Sequence, residues 1–172
     1  MNDMRPLILT CGFDAPGFSR FQSARQRHFP KDRNHIPAHL TLFHALPGFL
    51  SDEIAAHLSA GAADTAPISY SVTGLMPLGS GTAYAIDAPN LKTLHKGLQA
   101  QWSDHLTRQD AQGLRPHVTI QNKVDKETAL ATRAELEDGF APWQGTITHL
   151  LLWHYDDGPW DFAQGFALSG TT

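Results

Sequence analysis

A chain of 172 residues, 41% hydrophobic and 17% charged, has the make-up of a globular protein and enough length for a packed core in one domain, residues 1–172, or two small lobes folding as one. Its formal net charge of −4 argues against a protein that coats long nucleic acid, since such binding is driven by neutralising phosphates, and no apolar run approaches the length of a membrane helix. The single cysteine, Cys11, excludes an internal disulfide, makes a cysteine-based zinc site implausible, and reads as a small buried hydrophobe.

The N-terminal apolar run at residues 7–11 is too short and wrongly flanked for a secretory signal, so a cytoplasmic location is expected. Residues 7–13 read as a strand. Asp14 can cap a helix to about His28, with Phe18, Phe21 and Ala24 on its inner side. Arg20, Arg25, Arg27, Lys31 and Arg33 face only Asp32 in composition, a basic patch able to meet a short phosphorylated ligand, with Arg25 and Arg27 as the candidates and a solvated helix face as the alternative. A loop through Pro30 and Pro37 leads to a strand at residues 39–46. Ser51 caps a short helix ending near Gly61, with Asp52 and Glu53 in its first turn. Residues 68–75 and 83–88 read as strands around a Gly79-Ser80-Gly81 hairpin loop. Asn90 caps a longer helix to about Leu106, and a strand follows at residues 117–124. Asp125 caps a helix stopping at Gly139. Strands at residues 147–155 and 162–168 close the chain around a turn made by Asp156-Asp157-Gly158-Pro159.

Two of these strands open alike. One begins Pro37-Ala38-His39-Leu40-Thr41-Leu42, the other Arg115-Pro116-His117-Val118-Thr119-Ile120. Alternate residues of a strand face opposite sides. His39 and Thr41 therefore share one face with Leu40 and Leu42 behind, and His117 and Thr119 share another with Val118 and Ile120 behind. A third triplet, His105-Leu106-Thr107, ends a helical pattern and is set aside as a chance match. The two motifs lie about half the chain apart and each is followed by a capped helix, which suggests an internal duplication: two α+β lobes offering one strand each to a shared cleft.

Paired His-x-Thr strands of this kind resemble the 2H phosphoesterases, and the segments PAHLTLFHALPG and RPHVTIQNKV are most similar to the 2′-5′ RNA ligase-like branch, which includes RNA 2′,3′-cyclic phosphodiesterases. The resemblance implies an α+β, bilobal, pseudo-two-fold fold with two antiparallel sheets lining a central cleft and helices outside. It implies catalysis by His39 and His117 and phosphate binding by Thr41 and Thr119, with His117 as the base for water and His39 as the acid for the leaving oxygen. Relatives often carry an arginine shortly after the second motif; here Gln121, Asn122 and Lys123 stand there, and Lys123 offers a point charge in its place.

The residue types suit the chemistry. Opening a 2′,3′-cyclic phosphate removes a proton from water and gives one to a ribose oxygen, and imidazole serves both roles near neutral pH. One ring must be neutral while the other is protonated, which predicts a bell-shaped pH profile. Threonine hydroxyls can donate to the non-bridging oxygens where charge accumulates. The scheme needs no metal or cofactor. The expected partner is a nucleotide or short RNA with a cyclic phosphate, and a monomer is expected.

Other readings stand beside this one. The same cleft could be a non-catalytic module binding RNA ends or cyclic nucleotides, or a metal-dependent hydrolase that a chelator would silence. Recognition alone could use arginine or lysine, so paired histidines favour the enzyme. His35 and His39 have helical metal-pair spacing, but Pro37 between them argues against a helix. His44 should point away from the His39 face, and His149 and His154, of opposite parity on the late strand, read as structural histidines with the cleft wall as the alternative for either. Phe43 continues the His39 face as a base platform or a core residue. Gln121 and Lys123 continue the His117 face if that strand has no bulge. Trp153, Trp160 and Phe162 read as core or rim.

Overall fold

A computed structural model describes residues 3–172. Its elements follow the order β1 (Leu7–Phe13), α1 (Ala15–His28), β2 (Leu40–Leu46), α2 (Ser51–Asp64), β3 (Ile68–Pro77), β4 (Thr82–Asp87), α3 (Pro89–Gln101), β5 (His117–Gln121), α4 (Lys126–Glu137), β6 (Trp143–Tyr155) and β7 (Trp160–Ala167). None of the described helices is long and apolar enough to cross a membrane.

The helix starts show which local signals operate. Asp125 caps α4 as expected, its carboxylate accepting from the Thr128 amide at 2.7 Å. Asp14 precedes α1 but makes no side-chain cap; its Oδ1 takes a weak bond from the Tyr70 hydroxyl instead, at 3.4 Å. Ser51 and Asn90 lie inside their helices rather than capping them. A 3-10 turn, Gly48–Leu50, feeds α2, and Pro89 starts α3 with its fixed φ. The inner stripe of α1 is Gly17, Phe21 and Arg25, one residue per turn, and Phe18 is 38% exposed rather than buried. Gly17 is required there, because a Cβ would run into the Tyr70 hydroxyl. Phe21 then sits among Phe13, Tyr70, Tyr84 and Trp143.

All strands pair antiparallel in one seven-stranded sheet, ordered β2-β1-β6-β3-β4-β5 with β7 beside β6. The fold is α+β as expected, but the two sheets are continuous. The strand that joins them is β6, whose Ile147 pairs with Phe13 on one edge and Ile68 on the other. Toward its C-terminus β6 lies between β1 and β7; toward its N-terminus it carries β3. The sheet curls until Cα atoms of its terminal strands, β2 and β5, come within 8 Å of each other, yet no ladder closes between them. These are the two motif strands. Behind them Leu40, Leu42, Val118 and Ile120 are buried, as the alternation predicts. Full burial of such side chains stabilises the fold by roughly 1.5–3 kcal/mol each, so the core itself holds both strands in place.

Candidate functional site

Both histidines are anchored in the same way. His39 Nδ1 lies 2.9 Å from the Pro37 carbonyl, and His117 Nδ1 lies 2.8 Å from the Arg115 carbonyl. A carbonyl only accepts, so Nδ1 carries the proton in each ring and Nε2 is left for chemistry. The acceptor stands two residues before the histidine in both motifs, so each strand supplies the orienting group for its own ring. Both rings and both threonines are half-buried.

The surroundings of the two rings differ. Trp160 packs against His39 with ring centroids 4.8 Å apart. Burial drives the His39 imidazole down to about 4, the Pro37 bond opposes this, and the positive charges of Arg25, His117 and His44 add to it. Thr41 of β2 lines one cavity together with His44 and His117, and β2 and β5 approach each other there, so the two motifs open side by side.

A bulge in each strand decides what lies beyond the threonines. Thr41 pairs with Thr10 and Phe43 with Leu9, so β2 uses two residues where β1 uses one. Thr119 pairs with Ala83 and Gln121 with Thr82, so β5 does the same at the same motif position. An extra residue reverses the alternation. Phe43 accordingly turns into the core at 0% exposure, stacked on His95 and set edge-on to Trp102. It is not a base platform. Gln121 also turns inward and donates to Thr132 Oγ1 at 2.7 Å, away from the cleft. Lys123 falls outside the shortened strand, exposed and at φ +61, and lines neither cavity flanking the histidines. The same reversal turns His44 toward the cleft, contrary to the expectation from regular alternation.

The basic patch divides. Arg25 is 4% exposed, stacks its guanidinium over Phe29, and donates to Asn34 Oδ1 and to the Thr119 carbonyl, each at 2.9 Å. Burial lowers its guanidinium to about 10. It braces the backbone of the second motif while adding positive potential to the cleft. Arg27 points elsewhere and pairs with Glu135 of α4 at 2.6 Å. That contact ties α1 to α4, and Arg27 lines neither cavity beside the histidines.

Several cleft residues carry no signal in the sequence. Asp110, 2% exposed, accepts from the backbone amides of His44 and Ala45 at 2.8 and 2.9 Å and lies 3.2 Å from His44 Nδ1. Burial alone would raise its carboxyl, but the bonds from His44 and Ala45 outweigh it and hold the group below its usual range. His95 Nε2 donates to the Leu42 carbonyl at 3.1 Å, filling the acceptor that the bulge leaves unpaired. Trp160 is legible as an aromatic near a turn, but nothing local links it to His39. His39 also lines an apolar recess of about 220 Å³ whose walls include Phe18, Ile36, Leu151 and Trp153. Among the described residues no group of three or more His, Cys, Asp or Glu side chains converges as a metal site.

The family model described as the 2′-5′ RNA ligase superfamily matches residues 13–159, a span containing both motifs. No curated protein matches significantly in sequence. Solved structures match over nearly the whole length. TT0787 of Thermus thermophilus has a TM-score of 0.68 at 16% identity, covering 97% of this chain and 100% of that one. E. coli LigT complexed with 3′-AMP has a TM-score of 0.65 at 16% identity, covering 97% and 99%. The phosphate complex of E. coli LigT scores 0.61 at 16% identity, with the same coverage. At these identities the likeness is one of fold.

Proposed function

The chain belongs to the 2′-5′ RNA ligase superfamily, and from that premise we propose that it is a metal-independent phosphodiesterase opening 2′,3′-cyclic phosphate ends of RNA or nucleotides. The observation that carries this reading is the pair of carbonyl-anchored imidazoles on the two terminal strands of one curled sheet. Two Nε2 atoms offered to one cleft suit in-line displacement at phosphorus, one on the attacking side and one on the leaving side. Thr41 and Thr119, on the same strand faces as the two histidines, are suited to donate to the non-bridging oxygens.

In the forward direction a water oxygen forms a bond to phosphorus while one ribose P–O bond breaks. One histidine takes the water proton and the other protonates the ribose oxygen. The two rings finish with exchanged protonation, and exchange with solvent resets them. Run backwards with a 5′-hydroxyl in place of water, the same groups join two ends, which accounts for ligation by the same site. Burial keeps His39 neutral in the free protein, so it is poised as the base and the acid falls to His117. This reverses the order that the resemblance implies. The apolar recess beside His39 suits a nucleobase, and E. coli LigT, of like fold, is seen with 3′-AMP, ATP and NADP+.

The test is hydrolysis of the four nucleoside 2′,3′-cyclic phosphates in EDTA by wild type, His39→Ala and His117→Ala. Turnover in chelator that each substitution lowers by about 10²-fold or more supports the reading. Turnover that survives both substitutions, or that EDTA removes, overturns it.

A further inference from the structure

Thr41 and His117 line an open cavity of about 180 Å³, whose walls also include His44, Asp110 and Arg115. Asp110 is the only carboxylate in that wall, and it is sealed: two backbone amides and one imidazole nitrogen already surround it. With His44 Nδ1 committed to Asp110, Nε2 is the free nitrogen of a ring whose side chain is 48% exposed. Arg115 is exposed in the same wall. Its guanidinium has the Met76 sulfur at 3.8 Å and, among the described residues, no carboxylate in ion-pair range. Its backbone carbonyl meanwhile holds His117, so the Arg115 side chain starts two residues from that ring and shares a cavity wall with it. A chain of net charge −4 thus concentrates an oriented imidazole and an uncompensated guanidinium at one end of its phosphate site.

We propose that His44 and Arg115 form a second anion subsite that takes a further phosphate of the same substrate, so that the preferred substrate carries at least two phosphate groups. The inference rests on the phosphodiesterase reading and narrows its substrate class. An imidazole carrying both its protons donates Nδ1–H to Asp110 and Nε2–H to an anion, so one ring can serve both partners. Arg115 supplies the planar fork that suits phosphate. Asp110 acts through His44 as a positioning residue.

Two sources offer the second phosphate: the 5′-phosphate of a mononucleotide, or the next phosphodiester of an RNA chain. Turnover is therefore compared on adenosine 2′,3′-cyclic phosphate, its 5′-phosphorylated counterpart, and the dinucleotide ApA ending in a cyclic phosphate. At least one two-phosphate substrate is expected to exceed the one-phosphate substrate in kcat/KM by about tenfold, and which one does so names the source. His44→Gln and Arg115→Gln should each bring that ratio towards one, mainly through KM. Arg115 is exposed, so its variant keeps the test alive if His44→Gln does not fold. Equal kcat/KM on all three substrates, or a preference that survives both substitutions, overturns the proposal. If no cyclic phosphate is turned over, the phosphodiesterase reading fails separately, and binding decides the subsite. Adenosine 3′,5′-bisphosphate binding more tightly than 3′-AMP, with the difference lost in Arg115→Gln, upholds it; equal binding of the two overturns it.

Discussion

The two motif strands are built alike through the threonine and differently after it. Each has a histidine held by the carbonyl two residues back, a threonine half-exposed to the cleft, and a bulge at the next residue. Beyond the bulge β2 continues for several residues, carries His44, and has its free edge bonded by His95 and Asp110. The partner strand stops at Gln121, and its edge carbonyl at Thr119 is bonded by Arg25. The shared part is what chemistry at phosphorus requires twice. The unshared part gives each half its own work: β2 extends the cleft wall, while α1 locks β5 in place. The environments diverge as well, since Trp160 covers His39 and burial depresses that ring.

The sharpest way to break the symmetry is to remove each histidine. His39→Ala and His117→Ala are each expected to lower kcat by about 10²–10⁴-fold, measured on a cyclic nucleotide, with far-UV circular dichroism unchanged. A large loss in only one variant would mean that the shared geometry does not imply shared catalysis. Next come the hydroxyls. Thr41→Val and Thr119→Val should each cost about 10²-fold in kcat, with little change in KM, because their bonds strengthen as charge develops. Unequal losses would show which strand carries more of that charge.

The pH profile tests the divergence of the two rings. If neutral His39 is the base, kcat/KM on the acid side falls only as pH drops through about 4. If His39 must instead be charged, kcat/KM declines steadily as pH rises above that value. Stability follows with a definite sign. The folded state holds His39 neutral over a range in which the unfolded chain is protonated, so stability falls as pH drops from the ordinary imidazole range towards 4. A His39→Gln variant should lose part of that slope in urea titrations.

The edge braces give smaller effects. Arg25→Leu leaves the Thr119 carbonyl and Asn34 without a donor and should destabilise the protein by about 1–3 kcal/mol in chemical denaturation, with some loss of turnover as the second motif loosens. The smallest change is expected at Arg27→Ala, which removes an exposed ion pair worth at most about 1 kcal/mol and should leave turnover within twofold of wild type.

The motif histidines and threonines can be read because strand alternation is a local rule and their apolar partners obey it. Leu40, Leu42, Val118 and Ile120 are buried where that rule puts them. The rule fails one residue later. Neither bulge carries a glycine or any other local mark, so alternation puts Phe43 and Gln121 on the wrong face and His44 with them. Asp110 is out of reach for a different reason: its bonds to His44 and Ala45 span some 65 residues, and no periodicity reports a loop returning to a strand edge. Arg25 is legible as a charge but not as a buried one, because a helix pattern does not show which cation stacks on Phe29 and reaches a carbonyl on β5.

The strand that serves both halves also sets the order in which the chain can assemble. The inner neighbour of β1 is residues 147–154, so the first half of the sheet cannot be completed until those residues, some 140 positions further on, have left the ribosome. A nascent chain stalled before β6 would expose the unpaired edge of β1 together with its buried face, and a fragment ending there should aggregate rather than fold. Long-range pairing of this kind also makes folding slow relative to proteins of similar size built from local contacts.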